Sequence, residues 1–315
     1  MRIIILQQKI NWIDNLKTLG ILAVILGHIA SPFGSFIYSW HMPLFFMIAG
    51  FFIKFELSIK EFIIKDFKRL MVPYFIFAIV GLVLETIKRM ALHRESLDYI
   101  HELQGIFIWM DMSSLINTYA FVLWFLPVLF FARVVLVVIN KLVKNIFIQF
   151  FIILILFSIS FLVQLPFGID NSFNALLFVF LGSLFFRFYQ NSKILYVLPF
   201  VLIGLVIYIG VPSLDMATKN YQNIILNIVF ALSVIFTIIT VLKKLDFKSK
   251  LLTIWGGNTM LLFIIHPYTN NIAHIVVEKI NFGDWYLKFF ISLVLLQSVL
   301  LIKQRFEGRG IFKYV

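Results

Sequence analysis

Apolar residues fall in long runs separated by short polar breaks. Those runs predict membrane-spanning helices at 16–31, 40–54, 70–89, 116–139, 146–165, 172–189, 194–211, 222–242, 256–277 and 285–302. No ten-residue alternation of apolar and polar positions suggests a membrane β-barrel. The expected fold is therefore all-α: a polytopic integral membrane helical bundle of about ten transmembrane helices. The first run has a charged flank like that of a signal peptide. No small-residue cleavage site follows and a second run begins within a few residues, so a retained helix is expected.

Composition strengthens this reading. The chain is 62% hydrophobic and 13% charged, with 38 Phe in 315 residues. One soluble core could not cover so much apolar surface, so a lipid bilayer is the expected environment. The longest polar excursion, about Met90 to Ser114, is too short to fold alone, and residues 1–315 read as a single membrane-embedded domain.

The formal charge of +12 raises the question of nucleic acid, but the cations sit at the ends of apolar runs rather than on one polar face, so no nucleic-acid partner is expected. With the N-terminus in the cytoplasm, 20 of the 27 Lys and Arg lie inside, six lie outside, and Arg133 falls within a span. The bias places both termini in the cytoplasm. Zero Cys excludes disulfides, thiolate metal sites and an acyl-cysteine intermediate. No metal ligand set is expected.

Ionisable groups inside a span are costly and therefore mark candidate sites. In the first helix Asp14, Lys17 and His28 share one face, since 11 residues return to within about 20° and 14 to within about 40° of the same direction. The ordinary reading of such a histidine is an interfacial ring bonded to a backbone carbonyl. His41, which opens the second helix before Met42-Pro43, shifts the balance: the connection 31–40 is short enough to bring both histidines to one end of the bundle. Two imidazoles beside a polar stripe point to proton transfer, with a hydroxyl as the natural substrate of the base.

Three further segments stand out. KEFIIKDFKRLMVPY, residues 60–74, gathers Lys65, Lys68 and Arg69 in an expected cytoplasmic connection, as plain topological charge or as an anion cradle. Trp124-Phe125-Leu126-Pro127 implies a kinked helix with freed carbonyls at mid-membrane, and Arg133 beyond it needs a partner the sequence does not name. Gly256-Gly257-Asn258-Thr259 runs on to His266-Pro267, so that Asn258 or His266 could line a cavity.

In order along the chain, Asp14-Asn15-Leu16-Lys17, Gly27-His28, His41-Met42-Pro43-Leu44-Phe45-Phe46 with Ala49-Gly50, Lys68-Arg69 before Pro73-Tyr74, Leu123-Trp124-Phe125-Leu126 and Gly257-Asn258 to His266 form a series. It resembles the membrane acyltransferase 3 family, particularly its fucose 4-O-acetylase-like branch. Many members have Arg where this chain has Lys17 and Tyr where it has Phe263.

The resemblance implies an O-acyltransferase that moves an acyl group, commonly acetyl, from cytoplasmic acyl-CoA to a sugar hydroxyl of a surface polysaccharide or its lipid-linked precursor. It implies a multi-pass protein of the cytoplasmic (inner) membrane of a bacterium, with acyl-CoA as donor substrate and no permanently bound cofactor. His28 is the implied catalytic histidine, with Lys17 as the basic residue needed beside it. The expected mechanism docks acyl-CoA phosphates on Lys65, Lys68 and Arg69. His28 then serves as general base or acyl carrier, and Lys17 or a backbone donor stabilises the oxyanion.

Other readings are weaker. His93 to Asp98 fits the H-x-x-x-x-D pattern of glycerolipid acyltransferases but falls in a short outer loop, away from acyl-CoA. No G-x-S-x-G, H-E-x-x-H or Walker A pattern occurs. The alternative from another class is a transporter or flippase for a glycan or lipid-linked sugar, which would favour inverted repeats and paired broken helices that the sequence lacks. A structural subunit without chemistry would avoid the cost of buried histidines and Arg133.

Overall fold

The computed structural model describes residues 11–189, 192–245, 247–306 and 308–309. Both termini, with Arg2, Lys9 and Lys313 of the charge bias, lie outside the described residues. The protein is a helical bundle built on one contiguous apolar cluster. Its helices are α1 (Asn11–Gly27), α2 (Gly34–Tyr38), α3 (His41–Phe51), α4 (Ile59–Asp66), α5 (Val72–Ala91), α6 (Tyr99–Gln104), α7 (Phe125–Leu142), α8 (Ile146–Ile159), α9 (Ile169–Leu184), α10 (Leu198–Ile209), α11 (Ile224–Leu245), α12 (Lys250–Gly257), α13 (Thr259–Ile280) and α14 (Trp285–Arg305).

Helix occupies each of the ten expected stretches, but among the described residues six helical segments are long and apolar enough to cross a bilayer: Ile59–Ala91, Tyr119–Leu142, Pro166–Tyr189, Ile224–Leu245, Thr259–Ile280 and Trp285–Arg305. The other four are shorter, with 17 residues in α1, 11 in α3, 14 in α8 and 12 in α10. At about 1.5 Å per residue, α3 covers only about half of a bilayer core of about 30 Å. Punctuation explains part of the shortening. The helix of α1 stops at Gly27, and Ser31-Pro32 prevents its apolar run from continuing as helix.

Two proline segments differ from expectation. Residues 60–74 are not a connection: α4 passes through a π turn, Phe67–Met71, straight into α5, and Pro73 sits in the first turn of α5. The Ser58 side chain accepts from Glu61 N at 3.2 Å and Ser58 N donates to Glu61 Oε2 at 3.0 Å, so a capping box starts this helix. Pro127 does not kink a helix at mid-membrane either. A 3-10 turn, Tyr119–Trp124, precedes α7, so Pro127 lies in the first turn of α7, where a missing N–H costs nothing.

The helices around the site pack through small residues. A Cβ on Gly50 of α3 would collide with the Val179 carbonyl of α9, and one on Gly182 of α9 would collide with the Met47 carbonyl of α3, so the two backbones touch directly. Gly256 of α12 meets the Asp14 carbonyl of α1 in the same way. At the other end of α1, Asn270 of α13 donates to the Ile25 carbonyl at 3.0 Å and accepts from Ser292 of α14 at 2.6 Å.

A short hairpin, β1 (Leu214–Asp215) paired antiparallel with β2 (Asn220–Tyr221), caps that end. Lys219 anchors it by pairing with Asp170 and donating to the Ser160 carbonyl at 2.8 Å. Tyr221 adds a bond to Asn174 at 2.8 Å.

Candidate active site

Two neighbouring cavities among the described residues hold the candidate chemistry. A basic cavity of about 360 Å³ is lined by Lys17, Arg69 and Arg133 among apolar side chains of α3, α7 and α13. A histidine cavity of about 240 Å³ is lined by His28, Tyr38, His41, Trp124 and Asp215. Met42 and Phe263, both buried, line both cavities and form the wall between them.

The histidines share one hydrogen-bonding pattern. His28 Nδ1 lies 2.9 Å from the Val24 carbonyl and His41 Nδ1 lies 2.8 Å from the Ile37 carbonyl, each one helical turn back. A carbonyl can only accept, so Nδ1 carries the hydrogen and the neutral ring keeps its lone pair on Nε2. His266 reaches the Phe263 carbonyl at 2.6 Å for a reason written in the sequence. Pro267 lacks the N–H that would otherwise bond that carbonyl within α13, and the neighbouring imidazole takes the vacant acceptor. His266 is fully buried, and its Nε2 has no hydrogen-bond partner among the described residues.

The rings converge. His28 stands 4.9 Å from His266 and 5.9 Å from Tyr38, centroid to centroid, and Tyr38 stands 5.1 Å from His41. Burial, then the negative charge of Asp215, raises the Tyr38 phenol above its ordinary value, so it remains a neutral O–H donor at neutral pH. Asp215 is the only carboxylate among the residues lining this cavity. Its oxygens accept from Ala217 N and Thr218 Oγ1, both at 2.9 Å, which fixes its direction.

In the basic cavity Lys17 pairs with Asp14 at 3.6 Å, and the second oxygen of Asp14 is buried without a hydrogen bond among the described residues. Arg133 finds its partner in Asp66: Nε donates at 2.6 Å and a second nitrogen caps the Ala49 carbonyl. Asp66 also pairs with Arg69 at 3.2 Å, so one buried carboxylate holds both guanidinium groups.

The structure separates some residues that the sequence suggested together. Lys17 and His28 share a face of α1, yet 11 residues of helical rise put them roughly 16 Å apart, in different cavities. Of the basic trio Arg69 lines the basic cavity, while Lys65 and Lys68 are exposed and line neither cavity. Asn258 turns to the Ile254 carbonyl at 2.7 Å and to Lys303 at 2.6 Å, and lines neither cavity.

Tyr38, Asp66, Asp215 and Asn270 are new to the picture. Tyr38, three residues before His41 on a helical turn, could have been found by spacing. Asp215 is far from both histidines in sequence and gives no local signal. Among the described residues, no three His, Asp or Glu side chains gather into a metal site.

Buried histidines, a hydroxyl donor and a separate cationic chamber in a bundle of apolar helices have the makings of a group-transfer enzyme in a membrane. A family model described as an acyltransferase domain matches residues 10–302, which is most of the chain. The protein belongs to the acyltransferase 3 family and is a membrane acyltransferase. No curated protein and no solved structure matches it significantly.

Proposed function

We propose that the protein transfers an acyl group, in the simplest case acetyl, from acyl-CoA in the basic cavity to a sugar hydroxyl in the histidine cavity. The observation that carries this reading is the shared wall of Met42 and Phe263, with cations on one side and imidazoles on the other. The donor must be anionic and end in a narrow acyl arm, and acyl-CoA has that form. The acceptor chamber offers a base, a phenol donor and a carboxylate, which suits a polyol.

In this mechanism Lys17 and Arg69 hold donor phosphates, and exposed Lys65 and Lys68 raise the local donor concentration. The acyl arm enters between Met42 and Phe263. His28 Nε2 takes the proton of the acceptor hydroxyl as its oxygen attacks the thioester carbonyl carbon. The Val24 carbonyl bonds the Nδ1 hydrogen of the resulting imidazolium. Tyr38 donates to the oxyanion, with His41 packed against it. The C–S bond then breaks and the departing thiolate recovers the proton from Nε2. Asp215 accepts from other hydroxyls of the sugar. Lys17 is too distant from His28 to serve the oxyanion, and its task is donor binding.

The charge bias supports cytoplasmic termini, with the basic cavity facing the cytoplasm of a bacterial inner membrane. The motif resemblance to the fucose 4-O-acetylase-like branch supports a surface polysaccharide, or its lipid-linked precursor, as acceptor. A thermal-shift experiment on purified protein tests the donor assignment. Acetyl-CoA raises the melting temperature of the wild type and raises it less in Lys17→Met and Arg69→Gln. A wild type indifferent to acetyl-CoA contradicts the reading and favours a glycan transporter.

A further inference from the structure

A third cavity, of about 160 Å³, lies apart from the other two where the end of α7, the start of α8 and the end of α9 meet. Lys144 and Arg187 line it, with Asn140, Gln149 and Ser183 as polar neighbours and no carboxylate. Lys17, Arg69, Lys88, Arg89, Arg133 and Lys219, by contrast, each pair with Asp or Glu. Among the described residues Lys144 and Arg187 have no such partner. The Arg187 guanidinium is held above the rings of Phe55 and Phe188, at 5.1 and 5.2 Å, which orders it without neutralising it.

An ordered, uncompensated guanidinium with a second cation and the amides of Asn140 and Gln149 beside it is chemistry for a phosphate group. The surroundings indicate which kind. The first turns of α8 carry Phe147 and Phe151, which are 80% and 64% exposed, and Phe188 is 60% exposed at the cavity rim. Apolar rings this exposed on a membrane protein are suited to cover by acyl chains.

We infer that this cavity binds the phosphodiester of an anionic phospholipid, with the lipid chains lying along the apolar surface of α8. The inference is independent of the acyl-transfer reading and of the other two cavities. Phosphate chemistry could also be supplied by soluble phosphate, so the test separates the two sources.

Full-length protein in nanodiscs of mixed phosphatidylglycerol and phosphatidylcholine is released into a native mass spectrometer, and retained lipids are counted. The wild type keeps phosphatidylglycerol over phosphatidylcholine roughly tenfold, in line with two cations acting on one anionic headgroup. Lys144→Gln with Arg187→Gln loses that preference. Lys54→Gln with Lys60→Gln removes the same charge elsewhere and keeps it. No preference in the wild type, or a preference surviving in the cavity variant, overturns the site. Inorganic phosphate that binds the wild type and strips the retained phosphatidylglycerol overturns the lipid assignment in favour of a soluble ligand.

Discussion

The rings of His28 and His266 stand edge to face, 4.9 Å apart at their centroids, with 65° between their planes. They come from opposite ends of the sequence, and both Nδ1 atoms are committed to backbone carbonyls. That leaves the Nε2 lone pair of His28 facing the histidine cavity and that of His266 buried behind it, since His266 lines neither cavity. His266 Nε2 has no hydrogen bond among the described residues, a costly state for a buried polar atom unless it serves a substrate or the neighbouring ring.

This arrangement predicts a dissociation between stability and activity. His266→Phe keeps the volume and removes the unsatisfied Nε2 but strips the buried Phe263 carbonyl of its donor, so folding stability falls by only about 1 to 3 kcal/mol. Acyl transfer falls about a hundredfold, at the lower end of what a proton-handling group contributes. A variant that loses stability and keeps the activity per folded molecule would make His266 a packing residue.

The wall between the cavities predicts donor selectivity. Phe263→Ala widens the passage beside Met42, so butyryl-CoA gains on acetyl-CoA by about tenfold in kcat/KM, the scale on which a pocket senses methylene groups. Competition between the two donors in vesicles reads this directly. An unchanged ratio would place the acyl path elsewhere.

Asp66 predicts a folding defect rather than a catalytic one. Its carboxylate and the Arg133 guanidinium are both almost completely buried, so Asp66→Asn leaves a buried cation uncompensated and costs about 3 to 5 kcal/mol. Asp66→Asn with Arg133→Met removes both charges and recovers much of that loss. Thermal unfolding of the single and double variants checks it, and equal melting temperatures for the two would contradict the pairing.

Asn270 predicts a positioning effect. Its bond to the Ile25 carbonyl ties α13 to α1 three residues before His28. Asn270→Leu lowers kcat and leaves the KM for acyl-CoA unchanged, because the donor cavity lies at the other end of α1. A rise in KM alone would show the effect reaching the wrong cavity.

The sequence made the membrane bundle and the polar face of α1 legible, because apolar runs and helical periodicity are local. It located Arg133 without Asp66, since the partner is supplied by a helix 67 residues earlier in the chain. Spacing around α1 put Lys17 and His28 on one side but could not show that the Met42 and Phe263 wall divides that side by depth. Pro127 was misleading because a proline reads as a kink until the start of its helix is known. Pro267 was informative, since its missing N–H explains why the adjacent histidine is held by the Phe263 carbonyl.

The most direct measurement is transfer of label from radiolabelled acetyl-CoA into host glycan by membranes containing the wild type or His28→Ala. Labelled polysaccharide with the wild type, and a loss of a hundredfold or more with His28→Ala, is the predicted result. Equal labelling by the two proteins would contradict the central role of His28.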